Sequence, residues 1–370
     1  MQDLSAVSVV LPSLDPDEKL TAVIDGLLSV GFTDIILVND GSKQENLHYF
    51  EDAAAQHPEI HLLHHEVNRG KGAALKTAFT WFLENRPDAK GVVTVDGDNQ
   101  HHPEDTKACA LRMLETGNLV LGVRDFDLPG VPFKSRNGNH ITSFVFKIFV
   151  GMTISDTQTG LRAIHRKDLE ILNTIAGDRF EYETNMLLAL KEHNIPFEEV
   201  KIRTVYIEEN KSSHFRAFRD SWRIYKLILA HFFKYAVSSC VCAVLDAGMV
   251  WLLTALLHSL LHDTVLTVVA AAGARLVSSL VNFFLNKKLV FGCHGNTGKA
   301  LAKYYSLALP IMLAQIVLDE CAYRVFSVAG EQTVLRTVIH LIIMTILFVI
   351  NYSLQQRWVF SNKKTDRDAK

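Results

Sequence analysis

The sequence has few cysteines, and their spacing excludes two common kinds of cysteine site. The five are Cys109, Cys240, Cys242, Cys293 and Cys321, and no two of them form a CxxC pair. Three lie within long apolar runs, as small residues of a packed core or a membrane domain do. We therefore expect neither a disulfide framework nor a zinc site.

A surplus of either charge is also missing. The 370 residues include 38 Lys and Arg against 40 Asp and Glu, a balance that argues against a nucleic-acid-binding protein. The N-terminus lacks a charged and then apolar signal-peptide pattern, because a predicted strand begins at about residue 7. We therefore expect the first domain to stay in the cytosol.

Apolar residues are unevenly spread along the chain. Up to about residue 206 the composition is that of a soluble α/β domain, and beyond residue 227 long apolar runs dominate. Four runs are long enough to cross a bilayer, at about residues 231–257, 264–285, 304–328 and 334–354. The predicted domains are a cytosolic α/β domain (1–210), a basic juxtamembrane segment (211–230), a transmembrane domain (231–362) and a cytosolic tail (363–370).

Strands and helices alternate in the first domain. Predicted strands at about residues 7–11, 34–38, 60–64, 91–95 and 119–123 are separated by predicted helices. This order predicts a mostly parallel sheet covered on both faces, with ligands bound at the carboxyl ends of the strands. Asp15 is expected to cap the first helix, which is predicted to begin at Pro16.

Two carboxylates follow the fourth predicted strand. Asp96 and Asp98 end a β-branched run, and only Gly97 separates them. Two hard oxygen ligands this close suit Mg²⁺ or Mn²⁺ held jointly by the protein and a diphosphate. Asp and Gly also favour ordinary turns, so this motif alone leaves both interpretations open.

Three further turns are predicted at the same edge. They are residues 12–15, residues 39–42 and the glycine-rich stretch 68–73, which contains Gly70 and Lys71. A glycine-rich turn that enters a helix lets backbone N–H groups and a lysine approach phosphate. The stretch is not a P-loop, since GxxxxGK[ST] is absent.

Together these segments resemble the motifs of glycosyltransferase family 2, and most closely those of the polyprenyl-phosphate (dolichol-phosphate) sugar synthases. The resemblance covers about residues 5–215 and rests on Pro12, Asn39-Asp40-Gly41-Ser42, Asn68-Arg69-Gly70-Lys71-Gly72 and the stretch from Asp96 to Glu104. It implies an α/β GT-A fold. It also implies inverting transfer of one sugar from a UDP- or GDP-sugar to a lipid phosphate.

The resemblance further implies which residues form the site. Those expected to bind the nucleotide-sugar are Pro12, Leu14, Asp15, Asp40, Gly70, Lys71, Asp96, Gly97, Asp98, Arg124 and His214. Those expected to hold Mg²⁺ or Mn²⁺ are Asp96, Asp98 and Gln100, and those expected to be catalytic are Asp98, Arg124, Arg136 and Asp156. Arg124 matches an arginine that reaches the donor diphosphate, and Arg136 matches a basic residue near the acceptor phosphate. A phosphate acceptor is already an anion near pH 7, so no general base is required.

Several residues of the acceptor side have two interpretations. Asp156 either orients a basic group or a sugar hydroxyl, or caps a helix. Glu181 and Glu183 are either first-turn acids favoured by a helix dipole or catalytic groups. The segment 133–152 is either a helix lying in the lipid headgroup region, which we favour, or an ordinary buried helix. His214 stands where relatives carry a lysine, and it lies in a basic segment that also suits anionic lipid.

The apolar half resembles the GtrA-like membrane family over about residues 230–362. Basic residues cluster between the second and third runs and after the fourth, so the positive-inside rule predicts cytosolic termini in a multi-pass protein of the cell membrane. Residues 282–291 and 351–360 form a weak internal repeat. Asp246 and Arg275 are predicted to pair within the apolar runs.

The sequence therefore predicts a membrane-anchored, metal-dependent glycosyltransferase that makes a polyprenyl-phosphate monosaccharide. One alternative is a translocator of lipid-linked sugars whose soluble domain mainly binds. Another is a polysaccharide synthase, which the absence of a QxxRW motif from the soluble domain disfavours. Expected partners are the nucleotide-sugar, a polyprenyl phosphate and the bilayer, with self-association left open.

Overall fold

The fold is seen in a computed structural model that describes residues 4–129, 131–203, 217–293, 295–328 and 332–361. The chain divides into two compact units. One unit comprises Met1–Lys147 and Met152–Leu227, and the other comprises Ile148–Gly151 and Ile228–Lys370.

The first unit is built around one sheet of seven strands. The strands are β1 (Val7–Ser13), β2 (Ile35–Asp40), β3 (Ile60–His65), β4 (Gly91–Thr94), β5 (Leu119–Arg124), β6 (Arg162–His165) and β7 (Phe197–Ile202). The helices of this unit are α1 (Lys19–Ser29), α2 (Leu47–Gln56), α3 (Lys71–Asn85), α4 (Pro103–Thr116), α5 (Phe133–Val145), α6 (Arg166–Asn173) and α7 (Glu181–Glu192).

The sheet is mostly parallel, as the alternation of strands and helices predicts. Its order is β3-β2-β1-β4-β6-β5-β7, and only β6 runs antiparallel to its neighbours β4 and β5. The reversed strand β6 lies between the two strands whose ends carry Asp96 and Arg124. The loop that precedes β6, from Ser155 to Leu161, therefore returns to the same edge as those two side chains.

The core of this unit lies between the sheet and its helices. Val9, Val10 and Leu11 of β1 are fully buried, and Ile24 of α1 and Phe79 of α3 are buried against the sheet. Burial of a central strand on both faces explains why β1 is a continuous apolar run instead of an alternating one.

One local prediction is wrong: Asp15 does not cap the first helix. Helix α1 begins at Lys19, and Asp15 has a positive φ of 49°. Its Oδ1 instead accepts hydrogen bonds from the backbone N–H of Lys43 at 2.8 Å and from the Asn46 side chain at 3.2 Å. Asp15 thus joins the turn after β1 to the turn after β2.

Helix α5 exposes part of its apolar surface. Phe133, Ile141 and Phe144 are exposed, whereas Asn139 and Thr142 are buried on the same helix. Asn139 donates a hydrogen bond to the carbonyl oxygen of Ser155 at 2.7 Å. A helix that buries an amide and a hydroxyl group and exposes phenylalanine agrees with the favoured interpretation, and its location in the lipid headgroup region stays a prediction.

The second unit contains four helices that are long and apolar enough to cross a membrane. They are α8 (Ala217–Leu257), whose apolar part is Ile228–Leu257, α9 (Asp263–Leu285), α10 (Thr297–Val325) and α11 (Thr333–Leu354). The four apolar runs of the sequence are confirmed as helices. The predicted pair also forms, because Arg275 Nη2 lies 3.2 Å from Asp246 Oδ2.

The internal repeat of the second unit has a structural counterpart. A π-helical turn follows α9 at Asn286–Val290, and another follows α11 at Gln355–Val359. Their first residues meet in the interior, where Asn286 Nδ2 donates to Gln355 Oε1 at 3.2 Å. Phe291 and Phe360, the last residues of the two repeats, stack with centroids 5.2 Å apart.

Candidate active site

Carboxylate and cationic side chains gather at the carboxyl edge of the sheet. Asp96 and Asp98 follow β4, Arg124 ends β5, and Asp40 ends β2. The register explains the clustering, because β1 pairs in parallel with both β2 and β4 and so brings their carboxyl ends together. Pro12 and Leu14 lie at the same end of β1, and Pro12 is aligned with Val38.

Lys71 is the cation closest to the Asp-x-Asp pair. Its Nζ lies 2.7 Å from Asp96 Oδ1 and 3.0 Å from Glu183 Oε1, so it bridges two carboxylates. Burial by itself lowers the pKa of Lys71, but the charges of Asp96 and Glu183 outweigh burial and raise that pKa well above its ordinary value. Lys71 is therefore a permanent positive charge in this site.

The two carboxylates of the Asp-x-Asp pair differ in their surroundings. Burial by itself raises the pKa of Asp96, but Lys71 and His101 hold that pKa far below its usual range. Burial and the negative charge of Asp96 both raise the pKa of Asp98. Asp98 Oδ1 accepts a hydrogen bond from the backbone N–H of Gln100 at 3.1 Å.

These two carboxylates fit a divalent cation in donor chemistry and in charge. Asp98 is destabilised as an anion by its neighbour Asp96, and a cation shared by both would relieve that repulsion. Among the described residues, no three His, Cys, Asp or Glu side chains come together as a metal-binding group. Asp96 and Asp98 would supply two ligands of such an ion, and Gln100 stays a predicted third ligand.

The Asp40 carboxylate accepts two backbone hydrogen bonds from the glycine-rich turn. Its Oδ1 accepts from the N–H of Arg69 at 3.0 Å and its Oδ2 from the N–H of Gly70 at 2.8 Å. The ring of His65 lies 2.7 Å from Asp40 Oδ1 and also contacts Thr77 Oγ1 at 2.9 Å. Asp40 is buried with its oxygens engaged in the protein, so it holds the turn in place instead of meeting a nucleoside directly.

The backbone of the glycine-rich turn is also engaged within the protein. The N–H of Gly70 faces Asp40, and the N–H of Ala73 donates to the carbonyl oxygen of Asp178 at 2.9 Å. This corrects the expectation that the Gly70 N–H approaches phosphate. The turn contributes the Lys71 ammonium group to the site.

Arg124 is fixed by a bidentate ion pair. Its Nε and Nη2 lie 2.7 Å and 3.2 Å from the two oxygens of Asp156, and its guanidinium lies over the ring of Phe126. Asp156 is fully buried and also accepts from the N–H of Gln158 at 3.0 Å. Asp156 therefore orients a basic group, which is one of its two expected roles, and a direct contact with a sugar is not favoured.

The structure describes the contacts of Arg136, one of the two remaining predicted site residues. Arg136 donates from Nε to the carbonyl oxygen of Phe126 at 2.8 Å and from Nη2 to that of Leu128 at 3.1 Å. It thereby braces the loop that follows β5, and its contact with an acceptor phosphate stays a prediction. His214 lies outside the described residues.

Two functional candidates, Arg162 and His101, were assigned no role by the sequence-based prediction, and a third, Glu183, was left with two interpretations. Arg162 is buried among the charges of Glu183, Asp156 and Asp96, and burial lowers its pKa against the effect of these carboxylates. It donates to the carbonyl oxygens of Thr159 and Glu183 at 3.1 Å and 2.7 Å. Glu183 is a first-turn acid of α7, as one interpretation predicted, and it also contacts Lys71 at 3.0 Å, while a catalytic role stays a prediction. His101 follows the Asp-x-Asp motif by three residues, and its Nε2 lies 3.6 Å from Asp96 Oδ2.

Gly160 sets the position of Asp96. A Cβ atom at this glycine would lie 2.3 Å from Asp96 Oδ2, so no larger residue fits without moving that carboxylate. The Gly160 backbone is itself anchored, because its carbonyl oxygen accepts from Thr94 Oγ1 at 2.7 Å. The loop before β6 therefore forms one wall of the site.

Comparison with known protein families identifies both units. The Glycosyl transferase family 2 model matches residues 8–172. The model of the GtrA/DPMS transmembrane domain matches residues 234–360. These matches agree with the mostly parallel sheet of the first unit and with the four apolar helices of the second.

Individual relatives were found over the first part of the chain. An uncharacterized protein of Methanocaldococcus jannaschii is 28% identical over 61% of this chain and 93% of its own length. The UDP-N-acetylglucosamine–dolichyl-phosphate N-acetylglucosaminyltransferase of Methanococcus voltae is 25% identical over 55% of this chain and 86% of its own. Glucosyl-3-phosphoglycerate synthase from Mycobacterium tuberculosis, a solved structure, is 16% identical over 60% of this chain and 78% of its own, with a TM-score of 0.47.

Proposed function

Because the chain is a family 2 glycosyltransferase joined to a GtrA/DPMS transmembrane domain, we propose that it transfers one sugar from a nucleotide-sugar to a polyprenyl phosphate. The proposed reaction is metal-dependent, inverts the anomeric centre and takes place at the cytosolic face of the membrane. Relatives named for transfer to dolichyl phosphate and the four apolar helices support a lipid acceptor.

The observation that carries this proposal is the charge arrangement at the carboxyl edge of the sheet. Asp96 and Asp98 offer oxygen ligands for a divalent cation, and Lys71 and Arg124 offer positive charge for phosphate oxygens. A divalent cation bound there would offset the negative charge that builds up on the leaving diphosphate. Arg124 is held rigidly by Asp156, so its orientation is set before substrate binds.

The proposed chemistry needs no general base. An oxygen of the lipid phosphate attacks the anomeric carbon from the side opposite the diphosphate, the bond from that carbon to the diphosphate oxygen breaks, and the nucleoside diphosphate leaves. The attacking phosphate monoester is mostly a dianion near pH 7, because its second pKa is about 6. The buried state of Asp156 agrees with a positioning role in this scheme.

The proposal is tested with the full-length protein in detergent, undecaprenyl phosphate and a panel of UDP- and GDP-sugars with Mn²⁺. Formation of the lipid-linked sugar is measured. Asp98→Ala should reduce transfer by about a thousandfold or more, as loss of a principal charge-stabilising group does. The exposed Asp52→Ala on α2 is a matched control and should retain full activity. Full activity of Asp98→Ala would refute the assignment.

The alternative of a sugar-lipid translocator makes a different prediction. A translocator whose soluble unit only binds would move preformed lipid-linked sugar across vesicles equally well with Asp98→Ala, and it would form no new sugar–lipid bond. Measuring both transfer and crossing in the same vesicles separates the two functions. Replacing Asp246 and Arg275 together by apolar residues then asks whether the membrane unit contributes to crossing.

A further inference from the structure

The two glycines beside Lys71 have a packing role. A Cβ at Gly70 would lie 2.4 Å from the carbonyl oxygen of Asp178, and a Cβ at Gly72 would lie 2.5 Å from the Cβ of Tyr182. The start of α3 therefore packs directly on the start of α7, at a distance that only glycine permits. This contact places Glu183, in the first turn of α7, within reach of Lys71.

Lys71 is in contact with two carboxylates that belong to different parts of the site. Asp96 is a proposed ligand of the divalent cation, and Glu183 lies on the other side of the ammonium group. Lys71 and Glu183 are both mostly buried, with side chains 19% and 15% exposed. Asp98 is a third carboxylate of this cluster, because its charge interacts with those of Asp96 and Lys71.

We infer that Lys71 is a tethered counter-cation of the metal site, bound to Asp96 while the divalent cation is absent and retained by Glu183 when the cation takes Asp96. Glu183 is then a positioning residue, since it acts through Lys71. The inference rests on the proposed use of a divalent cation by this site.

Charge and geometry support this exchange of partners, in which Lys71 leaves Asp96 and stays bound to Glu183. Lys71 Nζ stands 2.7 Å from Asp96 Oδ1, so an ion bound by that oxygen would meet a like charge at very short range. Glu183 is already in contact with Lys71 at 3.0 Å, so a change of side-chain torsions is enough for Lys71 to leave Asp96. The Glu183 backbone is fixed meanwhile, because its carbonyl oxygen accepts from Arg162.

Arg162 is a less suitable mobile cation. Its guanidinium is almost fully buried, and it is bonded to the carbonyl oxygens of Thr159 and Glu183. Lysine carries a compact charge on a flexible chain, whereas this arginine is held as a planar fork in the interior. Lys71 is therefore the group that exchanges partners.

The test measures Mn²⁺ affinity of the full-length protein in detergent without nucleotide, from the electron paramagnetic resonance signal of free Mn²⁺. Lys71→Met removes the competing charge and should tighten Mn²⁺ binding by about tenfold. Lys71→Arg keeps the charge and should stay within about twofold of the unmodified protein. Glu183→Gln takes away the second partner of Lys71 and should weaken Mn²⁺ binding by about tenfold.

A double-mutant cycle separates the exchange from general electrostatics. If Glu183 acts through Lys71, the weakening caused by Glu183→Gln should shrink severalfold in the Lys71→Met background. If the two charges act independently on the ion, the effect of Glu183→Gln will be the same in both backgrounds, and that result would overturn the inference. Should Lys71→Met fail to fold, Lys71→Gln takes its place in the cycle, because glutamine also removes the charge and keeps a polar group for Asp96 and Glu183.

A control lysine, Lys76, lies five residues further along the same helix. Lys76 pairs with Asp178 at 2.5 Å, and Lys76→Met should leave Mn²⁺ affinity unchanged. An equal tightening by Lys76→Met would contradict a specific role for Lys71. Absence of Mn²⁺ binding to the unmodified protein, with and without UDP, would refute the metal-dependent function itself. If the unmodified protein binds Mn²⁺ and Lys71→Met does not change the affinity, only the exchange of partners by Lys71 is refuted.

Discussion

The two edges of the sheet carry ion clusters of similar composition, and they differ in how fully the charges are paired. We call the end of the sheet where the parallel strands begin its amino edge. There Asp34 accepts hydrogen bonds from Ser8 and from two nitrogens of Arg86, at 3.0 Å and 2.8 Å for the latter. The Nε2 atom of His61 lies 3.1 Å from Asp34 Oδ1. Arg86 in turn covers the ring of Trp81. Every charge of this cluster has an opposite partner, as expected for a structural element.

At the carboxyl edge the balance is different. Asp96 and Glu183 are paired with Lys71, whereas Asp98 has no ion pair among the described residues and is destabilised as an anion by burial and by its neighbour Asp96. A mostly buried carboxylate without an ion pair is costly as an anion, and binding of a cation relieves that cost. The comparison teaches that incomplete pairing, more than the presence of charges, distinguishes the functional edge from the structural one.

Among the variants that test this comparison of the two edges, the largest effect is expected at Arg124. Arg124→Lys keeps the positive charge but loses the bidentate pair with Asp156, so the cation is no longer held in one orientation. We expect transfer to fall by about a hundredfold. The melting temperature should fall only modestly, because lysine keeps a positive charge beside the buried Asp156. Steady-state transfer and thermal unfolding of the same preparation check both statements, and a large loss of stability would place Arg124 with the structural edge.

The next effect is expected at Gly160. A methyl group there would lie 2.3 Å from Asp96 Oδ2 and must push that carboxylate away from Lys71 and His101. We expect Gly160→Ala to lower transfer by about tenfold and to weaken Mn²⁺ binding, since displacement of about 1 Å at a reacting site is costly. Gly138→Ala is a suitable control, because a Cβ at Gly138 meets nothing within 4 Å.

A substitution at the amino edge should lower stability and leave sugar transfer unchanged. Asp34→Ala removes the acceptor of Arg86, His61 and Ser8, and we expect it to lower the free energy of unfolding of the first unit by about 2 kcal/mol. Transfer by the folded fraction should be unchanged. Denaturant unfolding and specific activity at low temperature measure the two quantities. A loss of activity without a loss of stability would break the distinction between the edges.

The sequence predicted the carboxyl edge well because its residues lie next to strand ends. A β-branched run followed by Asp96 and Asp98, and a glycine-rich turn before a helix, are local signals that parallel topology brings together. Arg162 and Glu183 carry no such signal. Glu183 has the appearance of an ordinary first-turn acid, and its role appears only when α3 packs on α7, more than 100 residues from Lys71 in the chain.

Other differences also arise from long-range contacts. Asp15 has the position of a helix cap in the sequence, but its oxygen is taken by Lys43 and Asn46 across the neighbouring turn. Strand β6 is only four residues long and begins with a buried arginine, so no apolar alternation marks it. Asp40 ends β2 as predicted, yet its buried contacts with the turn 69–70 depend on the fold.

The smallest expected effect is a pH dependence at the amino edge. His165 ends β6 opposite Gly91, and its Nδ1 accepts from the N–H of Lys167 at the start of α6. Burial, and then the charge of Lys167, lower the pKa of His165 below its ordinary value, and Lys90 adds to this against the opposing effect of Asp168.

The sign of this pH dependence follows from the lowered pKa. As the pH falls below about 6.5, the unfolded chain takes up a proton at His165 before the folded chain does, so the folded state loses stability. His165→Asn keeps an acceptor for the cap and cannot titrate, so it should remove this part of the decline. We expect the loss of stability between pH 7.5 and pH 5.5 to be slightly smaller in His165→Asn, as denaturant unfolding would show, because solvent screens the charges around this partly exposed ring. Transfer at pH 7.5 should be equal in both proteins, because His165 lies at the structural edge, and an equal pH dependence of stability in both would rule out this role.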